Sequence, residues 1–173
     1  MEESMVEEGL VGLTSDGTRD GASCGSGGLG GEGALCRGAA SEERARALLR
    51  ESVSVLSYVG DAAFELFVRR QVVKRGIVHG DRLHMAAVRY VRAAAQAAAL
   101  KSMFDGLPED ERWLVKRSRN RKISTKPKNA DALDYRWATA FEALLGYYCL
   151  SGQEGKLEET AARAMRLIDG DGP

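Results

Sequence analysis

The chain has 173 residues, a length that suggests one domain plus an appendage, and its 44% apolar and 29% charged residues are ordinary values for a globular protein. No apolar run approaches the ~18 residues that a membrane-spanning helix needs, so no transmembrane segment is expected. The three cysteines form no CxxC motif or Cys/His cluster, and we therefore expect neither a disulfide framework nor a zinc site.

The zero formal net charge hides an asymmetry along the chain. Residues 1–40 have seven acidic and two basic residues, a net charge of −5, which leaves +5 on residues 41–173. They also contain eleven of the twenty glycines and no aromatic residue, too little apolar surface to offset the entropy lost on ordering. We predict a disordered, Gly-rich acidic tail over 1–40 and a domain over 41–170. Because the acidic N-terminus lacks the features of a secretory signal, we expect a cytoplasmic protein.

The pattern of apolar residues is helical from Ser41 onward. Ser41 is predicted to cap a first helix. A second helix covers about residues 54–75, where Lys74-Arg75-Gly76 is a typical C-terminal signal. Asp81 is predicted to cap a long, alanine-rich third helix that ends near Gly106.

The second half of the chain continues the helical pattern. Pro108 opens a fourth helix, because proline fits the first turn and acidic residues follow it. Asn129 is predicted to cap a fifth helix that continues to Leu150, and a sixth covers about residues 156–168. No segment alternates apolar and polar residues as a strand does. The sequence therefore predicts an all-α fold.

Two of these helices each carry an isolated acid near a glycine. Asp61 follows Gly60 in the second helix, and Glu142 precedes Gly146 by one turn in the fifth. An acid in an apolar helix is costly unless it is paired or binds a metal, and a glycine lets another helix approach closely. Carboxylates that meet in this way favour Mg²⁺ or Mn²⁺, which prefer oxygen ligands. Glu65, four residues after Asp61, lies on the same helix face.

A structural interpretation accounts for the same acids. Glu65 is well placed to pair with Arg69 one turn later. The same interpretation makes Asp61 and Glu142 buried partners of arginines. Spacing alone does not decide between a metal site and ion pairs.

The two acid-bearing helices resemble the signature helices of the ribonuclease III catalytic domain, which carry an apolar-GDA motif and an EALxG motif. More specifically, the chain resembles the short form of that family, Mini-ribonuclease III, which lacks the double-stranded-RNA-binding domain. The resemblance covers about residues 50–160, and GDA alone would be a weak signal, whereas the ordered set is specific. The matching segments are Ser57–Ala62, Asp81–His84, Arg117–Asn120, Pro127–Asp131, Tyr135–Arg136 and Ala138–Tyr147.

The resemblance implies a homodimeric endoribonuclease that cleaves double-stranded RNA and matures the ends of 23S ribosomal RNA precursor, with 5′-phosphate and 3′-hydroxyl products. It implies that Asp61 and Glu142 are catalytic and bind Mg²⁺, for which Mn²⁺ can substitute. Full-length ribonuclease III has further carboxylates where this chain has Ser54 and Thr139. We therefore expect a lower metal affinity, with Glu65 or water completing the metal shell.

A basic segment precedes the helix of Glu142, with nine basic and two acidic residues between positions 112 and 136. Cationic side chains neutralise phosphates, and duplex RNA is recognised mainly through its backbone and 2′-hydroxyls. Together with the resemblance, this predicts RNA contacts from Arg117, Arg119, Asn120, Arg121, Lys122, Lys126 and Lys128. The absence of a separate RNA-binding domain leaves room for a ribosomal-protein helper.

Two other functional readings remain open at this stage. A non-catalytic, ribonuclease III-like RNA-binding ribosomal or assembly protein fits the hydroxyls at Ser54 and Thr139, whereas Asp61 and Glu142 favour the enzyme. A helical protein-interaction module predicts no salt-dependent RNA binding. Two further interpretations concern packing: we expect the tryptophans, Trp113 and Trp137, to lie in the core or an interface, and the apolar run 144–148 to form core and dimer contact.

Overall fold

The computed structural model describes residues 42–121 and 131–170 of the chain. This part is helical, without strands, which confirms the predicted all-α fold. The predicted tail and the predicted caps Ser41 and Asn129 lie outside the described residues. None of the described helices is long and apolar enough to cross a membrane. The helices are α1 (42–49), α2 (Val53–Lys74), α3 (Gly80–Val91), α4 (Ala93–Met103), α5 (Glu109–Arg119), α6 (Ala132–Leu150) and α7 (Glu154–Asp169), with a 3₁₀ turn at Phe104–Gly106.

Helices α2 and α6 form the centre of the domain and pack along their length. Phe64 of α2 and Phe141 of α6 meet edge to face, with ring centroids 4.9 Å apart, an arrangement that aromatic quadrupoles favour. Leu56, Leu144 and Leu145 are fully buried around this pair. The remaining helices cover this two-helix core, so the residues of α2 and α6 decide where the candidate site lies.

The third predicted helix is divided in the structure, which corrects the expectation of one long helix. Arg92 is extended (φ −65°, ψ 143°) and separates α3 from α4. Because α3 packs on α2 and α4 packs on α6 and α7, the two halves bury faces that one straight helix could not present. Asp81 lies in the first turn of α3 and does not cap it, since the N-cap is His79.

Helix α6 begins at Ala132, later than the sequence predicts. Its cap is Asp131, whose carboxylate accepts a hydrogen bond from the backbone N–H of Leu133 at 2.9 Å. Side-chain oxygens at this position satisfy one of the unpaired N–H groups of the first turn. The cap fixes the start of the helix that carries Glu142.

The end of α7 is held on α2 and α3 by a polar cluster around Asp169. The Tyr90 hydroxyl donates to Asp169 at 2.6 Å, and Arg75 donates to both Tyr90 (2.6 Å) and Asp169 (3.0 Å). Arg89 forms a second ion pair with Asp169 at 3.2 Å. The cluster ties together three helices whose termini would otherwise be free to separate.

A buried acid joins α5 to α6 and α7. Glu111 is 4% exposed; it accepts a hydrogen bond from the Tyr148 hydroxyl at 2.6 Å and pairs with Lys156 at 2.8 Å. Both carboxylate oxygens are therefore satisfied, as a buried charge requires. Tyr148 and the rest of the run 144–148 are buried within this chain, which confirms that they belong to the core.

Candidate active site

The closest approach of α2 and α6 occurs at two glycines. A Cβ added to Gly60 would lie 1.7 Å from the backbone oxygen of Glu142 and 2.6 Å from the backbone nitrogen of Gly146. A Cβ on Gly146 would lie 1.9 Å from the backbone oxygen of Leu56. Side chains longer than hydrogen would force the helices apart. The glycines therefore allow a backbone contact that brings the residues beside them together.

Asp61 and Glu142 are the residues that this contact brings together. Burial, and next to it the negative charge of Asp61, raises the pKa of Glu142 to about 8 from its usual 4.5. Burial, and then the charge of Glu65, raises the pKa of Asp61 above its usual value. Asp61 is exposed at the surface and Glu142 is half-buried behind it. The pair is thus accessible from the surface through Asp61.

No basic side chain compensates this pair in the described part of the chain. The ion pairs among residues 42–121 and 131–170 include neither Asp61 nor Glu142. The alternative that made both acids partners of arginines is therefore not seen there. Two carboxylates that repel each other are stabilised by a shared proton or a cation. The donor set, oxygen atoms alone, suits a hard divalent cation.

Glu65 is engaged elsewhere. Its carboxylate pairs with Arg69 at 2.5 Å, as the structural interpretation expected, and it is half-buried one turn beyond Asp61. Within the described ranges, no three Asp, Glu, His or Cys side chains form a metal cluster. Magnesium commonly keeps several waters and binds through one or two carboxylates, so Asp61 and Glu142 alone fit such an ion.

The basic end of α5 holds the described part of the predicted RNA-contact set. Arg117 is half-buried; its guanidinium lies 5.3 Å from the centre of the Trp113 ring and donates to the backbone oxygen of Glu51 at 2.5 Å. Burial lowers the pKa of Arg117. Because one terminal nitrogen already has an acceptor, Arg117 joins α5 to the segment that precedes α2.

Arg119 and its neighbours are held differently. The guanidinium of Arg119 lies 4.9 Å from the centre of the Trp137 ring, and its Nε donates to the side chain of Asn120 at 3.3 Å. Asn120 and Arg121 are exposed at the end of α5. The other predicted contacts, Lys122, Lys126 and Lys128, lie outside the described residues.

An apolar stripe on the outer face of α2 was missed by the sequence analysis. Tyr58, Leu66 and Val73 are 82%, 61% and 58% exposed, on the side of α2 that faces away from α6. Their spacings of eight and seven residues place them on one helix face, a signal that the sequence already contained. On α3, Met85 is also largely exposed. Exposed apolar patches of this kind mark interaction surfaces.

A small groove lies between α2 and α3, beside the apolar stripe. It has a volume of about 230 Å³. Its lining residues are Arg69, Val72, Val73, Gly80, Leu83, His84 and Ala87. His84, which ends the matching segment Asp81–His84, is therefore part of a mainly apolar wall that includes neither Asp61 nor Glu142.

Comparison with known proteins defines the class to which this fold and site belong. The family model of the ribonuclease III domain matches residues 54–153, which include α2, α6 and both carboxylates. Members of this family are endoribonucleases that act on double-stranded RNA and generally use a divalent metal.

Individual relatives narrow the assignment. The chain is 46% identical to the Mini-ribonuclease 3 of Brevibacillus brevis over 117 residues. These aligned residues cover 68% of this chain and 87% of that protein. It is 45% identical to the Mini-ribonuclease 3 of Symbiobacterium thermophilum over 114 residues, which are 66% of this chain and 88% of that protein. The crystal structure of protein FN1578 from Fusobacterium nucleatum matches with a TM-score of 0.62 and 27% identity, covering 70% of this chain and 95% of that one. The chain belongs to the ribonuclease III family and, within it, to the Mini-ribonuclease 3 group.

Proposed function

We propose that this protein is a Mg²⁺-dependent endonuclease for double-stranded RNA, in which Asp61 and Glu142 hold the cation and Mn²⁺ can substitute. The observation that carries the proposal is the backbone contact between Gly60 and Gly146, beside which Asp61 lies close enough for its charge to act on Glu142. Among the described residues they have no basic partner. Burial, and after it repulsion by Asp61, raises the pKa of Glu142, and a bound cation would offset both by stabilising the ionised carboxylate.

The two acids have different parts in the reaction. A bound divalent cation would supply charge to polarise a phosphate oxygen and to lower the pKa of water. Asp61, at the surface, would hold the cation on the side where the RNA phosphate arrives, while the half-buried Glu142 would hold it from the core side. Hydrolysis forms a bond between the water oxygen and phosphorus and breaks the bond from phosphorus to the 3′-oxygen. The 3′-oxygen takes up a proton, so the products have 5′-phosphate and 3′-hydroxyl ends.

Glu65 or water completes the metal shell in this proposal. Glu65 adds a negative charge near Asp61, and its ion pair with Arg69 is exposed enough to exchange at low cost. The Glu65→Gln variant should then need more Mg²⁺ for half-maximal rate. An unchanged rate and Mg²⁺ requirement would assign Glu65 to the Arg69 pair alone.

The RNA duplex lies along the basic end of α5 and the segment that leads to α6. Arg117, Arg119, Asn120 and Arg121 follow one another there, and Lys122, Lys126 and Lys128 extend the set. Contacts to phosphates release counterions, so RNA affinity should fall steeply with salt. A helical interaction module would show no such dependence.

The homodimer is proposed on the apolar stripe of α2. Burying Tyr58, Leu66 and Val73 against a second copy would remove apolar surface that a monomer leaves in water. Leu66→Glu should therefore yield a monomer in light scattering. Leu133 is a similarly exposed leucine near the start of α6, so Leu133→Glu is the matched control and should remain a dimer. A dimeric Leu66→Glu protein would contradict this interface.

The proposed substrate is the 23S ribosomal RNA precursor in the cytoplasm, with a ribosomal protein as a helper. The experiment is to incubate the protein with precursor RNA, with and without Mg²⁺, and to map the ends. Cleavage should require Mg²⁺, be abolished in Asp61→Asn and persist in Asp110→Asn, an exposed acid of α5 outside the site. Salt-dependent binding without cleavage would instead support the non-catalytic RNA-binding alternative, which Ser54 and Thr139 favour.

A further inference from the structure

Three basic side chains of α5, those of Lys116, Arg117 and Arg119, lie over aromatic rings, and two of these rings are in contact. Phe104 and Trp137 meet edge to face, with centroids 5.7 Å apart and planes at 86°. Lys116 lies 5.9 Å from the Phe104 ring centre, and Arg119 lies 4.9 Å from the Trp137 ring centre. A cation over an aromatic face is attracted by the ring quadrupole, most strongly over tryptophan. This aromatic pair therefore fixes the direction of two cationic side chains.

Among the described residues, Arg119 uses only its Nε in a hydrogen bond. The guanidinium carbon lies over the indole ring, and Nε donates to Asn120. In residues 42–121 and 131–170, no acceptor is hydrogen-bonded to Nη1 or Nη2 of Arg119. A guanidinium stacked on its face keeps its in-plane N–H donors free for bidentate binding of a phosphate. Arg117, by contrast, has one terminal nitrogen bound to the backbone oxygen of Glu51.

Trp137 also links this arginine to the candidate metal site. It is 9% exposed and lies in α6, five residues before Glu142, a rise of about 7.5 Å along the helix. Because the ring belongs to the same rigid helix as Glu142, the position of Arg119 is set relative to the carboxylates. A flexible arginine on the end of α5 would otherwise lose rotamer entropy on each contact with RNA.

We propose that Trp137 is a positioning residue for RNA binding, which holds the Arg119 guanidinium so that its terminal N–H groups meet one backbone phosphate of the duplex. The proposal rests on the proposed function, because it requires that the duplex lies on this end of α5. It goes beyond that function in assigning a role to a largely buried tryptophan that is not itself proposed to contact the RNA or the divalent cation. It also separates Arg119 from Arg117, which the Glu51 carbonyl holds in place.

The test is a double-mutant cycle on duplex RNA affinity, measured by fluorescence anisotropy without divalent cations over a range of salt concentrations. Arg119→Gln should weaken binding about tenfold and reduce the salt slope by about one. Trp137→Leu should weaken binding about fivefold, and Trp137→Phe, which keeps a smaller aromatic face, about twofold. In the Arg119→Gln background, Trp137→Leu should cause no further loss, because its effect acts through Arg119.

Controls separate positioning from general damage. Trp113→Leu removes the ring under Arg117, but the Glu51 carbonyl still holds that arginine, so affinity should remain unchanged. In cleavage assays with Mg²⁺, Trp137→Phe should raise KM and leave kcat unchanged. Because phenylalanine keeps the ring packing on Phe104, this variant also provides a folded protein if Trp137→Leu does not fold.

Equal losses from Trp137→Leu with and without Arg119 would overturn the proposal and leave the proposed function intact. So would an unchanged KM in Trp137→Phe. Failure of the wild-type protein to bind duplex RNA would overturn both.

Discussion

Gly60→Ala tests the contact on which the candidate site depends. The added methyl group would lie 1.7 Å from the backbone oxygen of Glu142, where side-chain carbons in proteins do not approach closer than 3.0 Å. Since the obstacle is backbone, no side chain can rotate away, and α2 and α6 must separate by more than about 1 Å. That separation would also move Asp61 away from Glu142.

The change in the free energy of unfolding of Gly60→Ala follows from two opposing effects. Alanine in place of glycine favours a helix by about 1 kcal/mol. Overpacking a core costs about 1–3 kcal/mol, and more where backbone meets backbone. Because the obstacle here is backbone, we place the overpacking cost at or above the upper end of that range, so the free energy of unfolding should fall by about 2 kcal/mol or more, with Tm lower by roughly 10 °C. Cleavage by the folded fraction should fall by about 10²-fold, the typical effect of a 1 Å misplacement of catalytic groups.

The assays are urea denaturation and the Mg²⁺ dependence of duplex cleavage. Gly155→Ala is the matched control: this glycine also lies within a helix, α7, but nothing lies within 4 Å of the added Cβ. It should keep full activity and gain up to about 1 kcal/mol. If Gly60→Ala were as stable and as active as Gly155→Ala, the close approach of α2 and α6 would be refuted.

Three further predictions follow from the described contacts. Without divalent cations, the free energy of unfolding should fall as the pH rises from about 4.5 to about 8, because Glu142 is harder to ionise in the folded chain than in the unfolded one. Thermal unfolding of Glu142→Gln should show no such pH dependence. A pH dependence that persists in this variant would contradict its assignment to Glu142. Tyr148→Phe should cost about 1–2 kcal/mol in urea denaturation, since buried Glu111 loses a donor; an unchanged midpoint would show that Lys156 alone satisfies it. Added Mg²⁺ should raise the Tm of the wild type but not of Asp61→Asn, and an equal rise in both would place the ion elsewhere.

Local signals in the sequence predicted most of the helices. Lys74-Arg75-Gly76 ends α2 as expected, with Gly76 at φ 77°, and Pro108 precedes α5, whose first turn is acidic. The glycines beside Asp61 and Glu142 predicted the close helix contact because a missing side chain is visible in the sequence. The pairing of Glu65 with Arg69 was also accessible, since both residues lie on one helix.

Features that depend on distant residues could not be predicted. The break at Arg92 has no glycine or proline to mark it and arises because α3 and α4 pack on different partners. The contact of Arg119 with Trp137 joins residues on two helices, and nothing in their spacing indicates it. The buried hydroxyl of Tyr148 has its acceptor on Glu111, 37 positions away, and the apolar run around Tyr148 does not indicate that partner.

The most direct measurement is the location of Mn²⁺ in crystals of the protein by anomalous diffraction. The account predicts an anomalous peak within coordination distance of the carboxylates of both Asp61 and Glu142, and loss of that peak in Asp61→Asn. A peak bound to other acids, or a site between α2 and α6 that stays empty at saturating Mn²⁺, would contradict it.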